Sequence, residues 1–538
     1  MASRSFVPPS RYAVFGLCGL LVGVAVGAIL AGFGLAWWLL APAVALTAVG
    51  VSDLRQSRHS IQRNYPVIGH IRWLVEFVRP EIRQYLIEAD EEAAPFSRSQ
   101  RSLVYDRAKG KPGEHPFGTL LDPYREGYEF IGHSTMPVEA ADPSTFRITV
   151  GGPDCKRPYS TSVFNISAMS FGALSANAIR ALNAGAKRGG FSHDTGEGSL
   201  SPYHREMGGD IVWELGSGYF GCRTPDGAFD PERFAVNARL DQVKMIEIKL
   251  SQGAKPGHGG VLPAAKVTPE IAETRGVPLG RDCVSPSAHS AFSTPLELMA
   301  FITRLRTLSE GKPVGFKLCI GHPWEFMAVV KAMLETGVTP DFIVVDGTEG
   351  GTGAAPTEFS DHVGAPMREG LLFVHNTLVG AGLRDRIRVG VAGKIVSAFD
   401  ILSVLAIGAD WANAARGFMF AVGCVQSRSC NTNRCPTGVA TQDPLRQAAL
   451  IVPDKAERVF NFHHLTLKAL AEMLGAAGLQ HPDQVRSHHL ARRVSATEVR
   501  LFSELHTFLE PGSLLDGSVT SGMYADNWRR ASAQTFAN

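Results

Sequence analysis

The chain of 538 residues carries almost no excess charge: 53 Lys and Arg stand against 51 Asp and Glu, a formal net of +2. It has no long basic run interleaved with aromatics, so nothing in it offers a polyelectrolyte surface, and nucleic acid is not an expected partner. Cysteine is scarce, with 8 residues and no evenly spaced framework. That excludes a secreted disulfide scaffold and points to a reducing compartment around the body of the chain. No G-x-G-x-x-G follows the first strand candidate, which counts against a doubly wound dinucleotide fold. The most local lack is of charge: residues 12–52 contain no Asp, Glu, Lys, Arg or His.

At ~1.5 Å per residue that uncharged stretch makes about 60 Å of helix, enough to cross a ~30 Å hydrocarbon core twice. It reads as a transmembrane hairpin that breaks near residues 32–34, with helices over 12–30 and 35–51. Arg4 and Arg11 precede it, and Arg55, Arg58, Arg63 and Arg72 follow. The positive-inside tendency then places both flanks in the cytoplasm, so the expected location is the inner (cytoplasmic) membrane with the body facing inward. A cleaved signal peptide, whose apolar region runs about 7–15 residues, is the alternative that the length disfavours.

Against the general scarcity, Cys424, Cys430 and Cys435 cluster as C-x5-C-x4-C-P. Zinc sites usually close with four ligands and Cys-x2-Cys knuckles. Soft thiolates at wider spacing suit iron and sulfide, and three without a fourth nearby suit a three-iron cluster. Ordinary packed thiols are the alternative, since free cysteine is among the most buried residue types. The ligand reading makes this a chain that moves electrons.

The length exceeds what one core fills, so a large barrel-sized domain with accessory segments is expected. The divisions are a hairpin (1–52), a lead-in (53–160), the main domain (161–452) and a helical and irregular C-terminal extension (453–538). In the lead-in, Ile71, Leu74, Val75 and Val78, then Ile82, Tyr85 and Leu86, recur at helical spacing around Pro80, with charge at 88–92. This predicts two short amphipathic helices split by the proline. From residue 161, short apolar runs alternate with helical patterns. Strands are predicted at 163–166, 190–192, 218–221, 245–250, 314–318, 342–345, 387–391 and 411–414. Helices are predicted at 176–188, 295–308, 324–336 and 397–407. Eight such units predict an α/β fold, a (β/α)8 TIM barrel preceded by the transmembrane hairpin, with chemistry on the loops at the C-terminal strand ends.

Those loops carry a pattern. After the fourth strand, Gly253, Gly257, Gly259 and Gly260 surround Lys255, with Lys249 just upstream. Glycine lets backbone approach a ligand and two ammonium groups attract an anion, although a flexible surface loop would look similar. After the sixth strand, residues 346–353 are glycine-rich, and Gly393-Lys394 and Arg416-Gly417 follow strands seven and eight, where barrels commonly hold a phosphate. Flavin mononucleotide fits this set: phosphate at loops seven and eight, ring over the mouth, and Lys317 at the end of strand five to stabilise negative charge on the reduced ring.

Six motifs together resemble the FMN-binding synthase domain of glutamate synthase in its short, membrane-tethered bacterial form, over roughly residues 165–479. They are Ala168-Met169-Ser170-Phe171-Gly172, Asp194-Thr195-Gly196-Glu197-Gly198, Gln252-Gly253-Ala254-Lys255-Pro256-Gly257, Gly350-Gly351-Thr352-Gly353-Ala354, Leu383-Arg384-Asp385-Arg386, and the cysteine run continuing through Pro436-Thr437-Gly438-Val439-Ala440-Thr441-Gln442. The resemblance implies FMN, a [3Fe-4S] cluster on Cys424, Cys430 and Cys435, and reduction of 2-iminoglutarate, formed from 2-oxoglutarate and ammonia, to glutamate. It implies that Met169, Ser170, Lys249 and Lys317 border the flavin ring and that Gly351, Gly353, Gly393, Arg416 and Gly417 lie near its phosphate. Gln252, Lys255 and Arg275 would receive 2-oxoglutarate, and Glu197 would hold ammonium and help remove its proton.

The chain also departs from that family. It opens Met1-Ala2-Ser3 rather than with a glutaminase cysteine, so ammonia is expected from solution or another protein. No nicotinamide domain is evident, which leaves the electron donor to a partner such as ferredoxin or a reductase. His258 and Val261 stand where the family commonly has acidic and amide side chains. Two other functions remain open: oxidoreduction of another amino or 2-oxo acid with electrons exchanged with a membrane carrier, and a non-enzymatic membrane-anchored scaffold. His463-His464 and His488-His489 read as solvated or capping residues rather than ligands, because neighbours on a helix diverge. Cys222, Cys283 and Cys319 read as packed thiols.

Overall fold

The run Phe342–Val345 is apolar on both faces, as a strand of a parallel sheet must be when helices cover one side and barrel contents the other. In the computed structural model, which describes residues 10–537 apart from 57, 58, 90, 91, 93, 112 and 115, eight such strands close into a barrel. Arg4 and Arg58, with Asp90 and Glu91 of the charged run, lie outside the described residues. The strands are β1 (Phe164–Ile166), β2 (His193–Asp194), β3 (Ile211–Leu215), β4 (Val243–Lys249), β5 (Val314–Leu318), β6 (Phe342–Asp346), β7 (Arg388–Ala392) and β8 (Trp411–Ala414). All are parallel to their neighbours, and β8 returns to β1 with Ala412 opposite Phe164.

Six strands and the four predicted helices fall within a few residues of expectation; β2 and β3 do not. Gly190 is the left-handed cap of the helix Ala176–Gly189 (φ 65°), so that helix ends where a strand was expected and β2 starts at His193. The third strand is predicted at 218–221, but those residues form a turn around Tyr219 (φ 46°). The true strand is Ile211–Leu215, where Glu214 interrupts the apolar pattern although it is buried.

The N-terminal strand ends are closed by an antiparallel hairpin of Arg147–Val150 and Tyr159–Ser162. Asp341 ties it down: its Oδ1 accepts from Gly152 N (2.7 Å) and its Oδ2 from Val314 N (2.8 Å). Arg306 balances that fully buried carboxylate at 2.9 Å. Arg306→Ala strands the charge, and breaking such a buried pair is expected to cost about 3–5 kcal/mol, read as a lower denaturant midpoint.

The long helix Val452–Ala476 turns a stripe of Val459, Phe462, His463, Thr466, Leu467 and Leu470 toward the barrel. His463 is therefore a core residue rather than a solvated one. Its Nε2 lies 3.0 Å from Phe164 O, its ring stacks on Phe191 at 3.9 Å, and burial pushes its pKa down to about 3. The tail is also more ordered than the sequence pattern indicates. Leu490–Arg493 pairs with both Glu129–Ile131 and Val499–Leu501.

Met1–Ala94 is a separate compact unit from Pro95–Asn538. Within it, α1 (Ala13–Leu30) and α2 (Trp37–Arg55) are joined through Gly32 (φ 90°) and a tight turn at Gly34–Ala36. Both are long and apolar enough to cross a membrane, and Leu30 and Trp38 are each 83% exposed. After a short helix at Ser60–Asn64, the helix Gly69–Ile82 runs through Pro80 instead of being split by it and passes into a π-turn at Arg83–Ile87. A proline inside a helix removes one hydrogen bond and can kink the helix rather than end it.

Candidate active site at the barrel mouth

Side chains two apart on a strand share a face, so Glu247 and Lys249 of β4 turn together into the barrel, beside Lys317 of β5, which pairs in register with Lys249. Around them the C-terminal loops enclose a cavity of about 210 Å³, where ~10–15 Å³ holds one water. The space is ligand-sized. Of the residues singled out from the sequence, Met169, Ser170, Glu197, Lys249, Gln252, Lys317, Gly351, Gly353, Gly393, Arg416, Gly417 and Cys430 line it. Lys255, Arg275, Cys424 and Cys435 lie behind the wall.

At the floor, the Lys317 ammonium pairs with Glu214 and sits 3.2 Å from Glu247. Burial works against this lysine's charge, but Glu214, Glu247 and Asp194 outweigh it and hold its pKa well above the usual value. On one wall, Glu197 meets Lys249 at 3.0 Å and accepts from Ser285 Oγ at 3.3 Å. Burial pushes the Glu197 carboxyl up, yet Lys249, with Arg275 and Lys255, holds it below the usual range. Gly260 makes room for it, since a Cβ there would lie 2.0 Å from Glu197 Oε1.

Lys255 is buried, and burial lowers its pKa against the pull of Glu197. Arg275 braces the loop after β1, donating to Phe171 O at 2.9 Å and approaching Ser170 Oγ at 3.4 Å. On the opposite wall, the Arg416 guanidinium occupies the space a side chain at 351 would need: a Cβ on Gly351 would stand 2.1 Å from its Nη1. His258 turns to Gly259 O and to the Phe359 ring.

The cysteine loop follows β8. Gln426, Arg428 and Asn433 adopt left-handed φ of 58°, 55° and 62°, a cost that persists only where surroundings over-determine the backbone. Gln426 exchanges two hydrogen bonds with the Phe96 backbone, and Tyr105 Oη donates to Cys424 O at 2.7 Å. Burial raises the Cys435 thiol, but N–H and hydroxyl groups of Ala440, Thr437 and Val439 bring it below its usual pKa. Among the described residues, the one set of ligand atoms close enough to share a single ion is Asp194, Glu214 and Glu247, within 4.8 Å. The thiols are spaced more widely than one zinc at about 2.3 Å from each sulfur would require.

Three contributors are not marked in the sequence: Glu214, Lys266 and Glu247, the last of them two residues before Lys249 on β4. Glu214 was hidden by the misplaced third strand. Lys266 is buried, and its Nζ donates to Ala173 O (2.7 Å), Cys430 O (3.3 Å) and Ala440 O (3.4 Å), tying the loop after β1 to the cysteine loop. Nothing in the sequence around Lys266 sets it apart from a surface lysine.

These features define a (β/α)8 barrel enzyme whose polar machinery gathers at the C-terminal mouth. Residues 150–480 match the family described as the conserved region in glutamate synthase. The glutamate synthase large subunit-like protein YerD of Bacillus subtilis is 37% identical over 508 residues, covering 87% of this chain and 96% of that one. The archaeal-type glutamate synthase (NADPH) of Thermotoga maritima is 32% identical over 376 residues, covering 68% and 70%. The archaeal glutamate synthase (NADPH) of Archaeoglobus fulgidus is 35% identical over 324 residues, covering 60% of each. The chain belongs to the glutamate synthase family and is an oxidoreductase of that type.

Proposed function

We propose that the protein makes L-glutamate by reductive amination of 2-oxoglutarate with ammonia, using FMN at the barrel mouth and a [3Fe-4S] cluster on Cys424, Cys430 and Cys435. The observation that carries this reading is Glu197, a carboxylate held among Lys249, Lys255 and Arg275 on the wall of the cavity that Lys317 and Cys430 also line.

The residues fit both groups. Lys317 with Met169, Ser170 and Lys249 would hold a flavin ring, and Gly351, Gly353, Gly393, Arg416 and Gly417 would cradle its phosphate. The thiols are too far apart for a single ion and suit a multi-iron core, and Cys430 sits at the cavity wall. When bound, FMN supplies hydride transfer and the cluster supplies single electrons.

The chain's own residues do the rest. Gln252, on the cavity wall, receives a carboxylate of 2-oxoglutarate, and the buried Lys255 ammonium behind that wall draws the dicarboxylate in by its charge. Arg275 holds Ser170 in place and adds positive charge. Glu197, kept ionised by its cations, binds ammonium and accepts its proton as the carbon–nitrogen bond forms. Electrons arrive from a partner such as ferredoxin or a reductase. The helices Ala13–Leu30 and Trp37–Arg55 anchor residues 1–52 in the inner membrane, with the barrel (161–452) and its extension (453–538) on the cytoplasmic side.

The test is anaerobically purified protein given reduced ferredoxin or dithionite with ammonium and 2-oxoglutarate. Glutamate is the expected product, and no product with any reductant would refute the proposal. A second reading, in which another 2-oxo acid is the substrate, draws on the apolar wall of Val261, Leu262 and Pro263; a substrate screen followed by flavin reoxidation separates the two. Gly351→Ala is expected to displace Arg416 and yield protein with little bound flavin, measured by absorbance after denaturation.

A further inference from the structure

The floor of the pocket holds more carboxylates than its one cation can balance. Asp194, Glu214 and Glu247, from β2, β3 and β4, meet Lys317 of β5. All four are buried. Fully ionised, they would set three negative charges against one positive in a dry interior, which burial penalises until protons return to the carboxylates. Lys317 already takes the place a metal cation would fill, so the cluster is a cage for protons. Two further groups face it. Asp346 at the end of β6 accepts from Gly253 N at 2.8 Å, and Lys249 is turned to Glu197.

We propose that Asp194, Glu214 and Glu247 are positioning residues that hold Lys317 as an ammonium beneath the pocket and bind one proton from solvent when negative charge arrives above it. This rests on a flavin occupying the pocket. Two electrons from dithionite and one proton, entering the flavin, leave one added negative charge; one further proton on the cage balances it, so two electrons and two protons enter together. Glu247 is the group poised to take that proton. Burial pushes its carboxyl up to about 7, Lys317 pulls it down and Glu214 adds to the rise. Burial, Glu247 and Glu214 hold the Asp194 carboxyl well above the usual range. Glu247 Oε1 lies 3.2 Å from the Lys317 ammonium, so the proton it takes is exchanged against that charge.

The sign follows. Below pH about 7 Glu247 already carries a proton in the oxidised protein and takes up none; above it, reduction brings one in. The flavin midpoint potential should therefore fall more steeply with pH above about 7 than below. Titration of the reduced ring itself would bend the line the other way. The experiment is spectroelectrochemical titration of the purified full chain with its flavin across this pH range, beside Glu247→Gln, whose line should be straight. Infrared reduced-minus-oxidised spectra of the unmutated protein at pH 8 should gain a protonated-carboxyl band, a readout that does not depend on the variant folding. A flavin-bearing protein with no steepening and no gained band overturns the cage, as does an unchanged break in Glu247→Gln. A preparation without flavin absorbance overturns the underlying cofactor reading and the cage with it.

Discussion

Glu197→Gln is expected to lower glutamate formation by about 10²–10⁴-fold, the usual contribution of a positioned acid or base, while bound flavin and its reduction by dithionite stay as they were. The amide keeps the shape of the carboxylate between Gly216 and Gly260, where a larger group has no room, but it loses the charge that pairs with Lys249 and the basicity that the proposed proton transfer from ammonium needs. The loss should fall on ammonium rather than on 2-oxoglutarate, because Gln252 and Lys255 remain. The pH profile sharpens the test. Lys249, Arg275 and Lys255 hold the Glu197 carboxyl below its ordinary pKa against burial, so its acid limb should lie below that ordinary value. An acid limb near pH 4.5 that vanishes in Glu197→Gln would contradict this, as would a variant with undiminished ammonium-dependent turnover.

The sequence exposed those parts of the molecule whose physics is local. Apolar runs bounded by glycine and proline located six strands, and the uncharged stretch over 12–52 located the two N-terminal helices. Glycines that exist to admit another group also stood out: the emptiness at Gly351 is the space Arg416 fills. What failed was whatever depends on tertiary compensation. Ile211–Leu215 did not read as a strand because Glu214 in its middle is tolerable only beside Lys317, a hundred residues away in the chain. His463 read as polar surface, although packing on Phe191 and the bond with Phe164 O make it core. Lys266 carries no local mark, since its three carbonyl partners come from two distant loops. Such groups contradict their own neighbourhood in sequence, and at the mouth of a barrel these contradictions accumulate.

Cys435→Ser should give protein that retains flavin but carries iron at background level and has lost the broad visible absorption of an iron–sulfur centre. Serine offers a neutral, hard oxygen where soft thiolate is needed. The donors of Ala440, Thr437 and Val439 that favour a sulfur anion at 435 cannot turn a hydroxyl of far higher pKa into an equivalent ligand. The flavin should survive because its cradle is built from other loops, with Cys430 as the shared wall. The consequence for activity is a split. Turnover driven by a protein one-electron donor should drop to the blank if, as proposed, that route enters through the cluster, while chemical or light-driven reduction of the flavin and its reoxidation by substrate should persist. Cys319→Ser serves as the control: Cys319 is buried against Ala365 O, away from the loop, so any change there should be in stability and not in iron. Equal iron content in Cys435→Ser and the parent would leave the three thiols as packing residues and remove the path by which electrons reach the barrel.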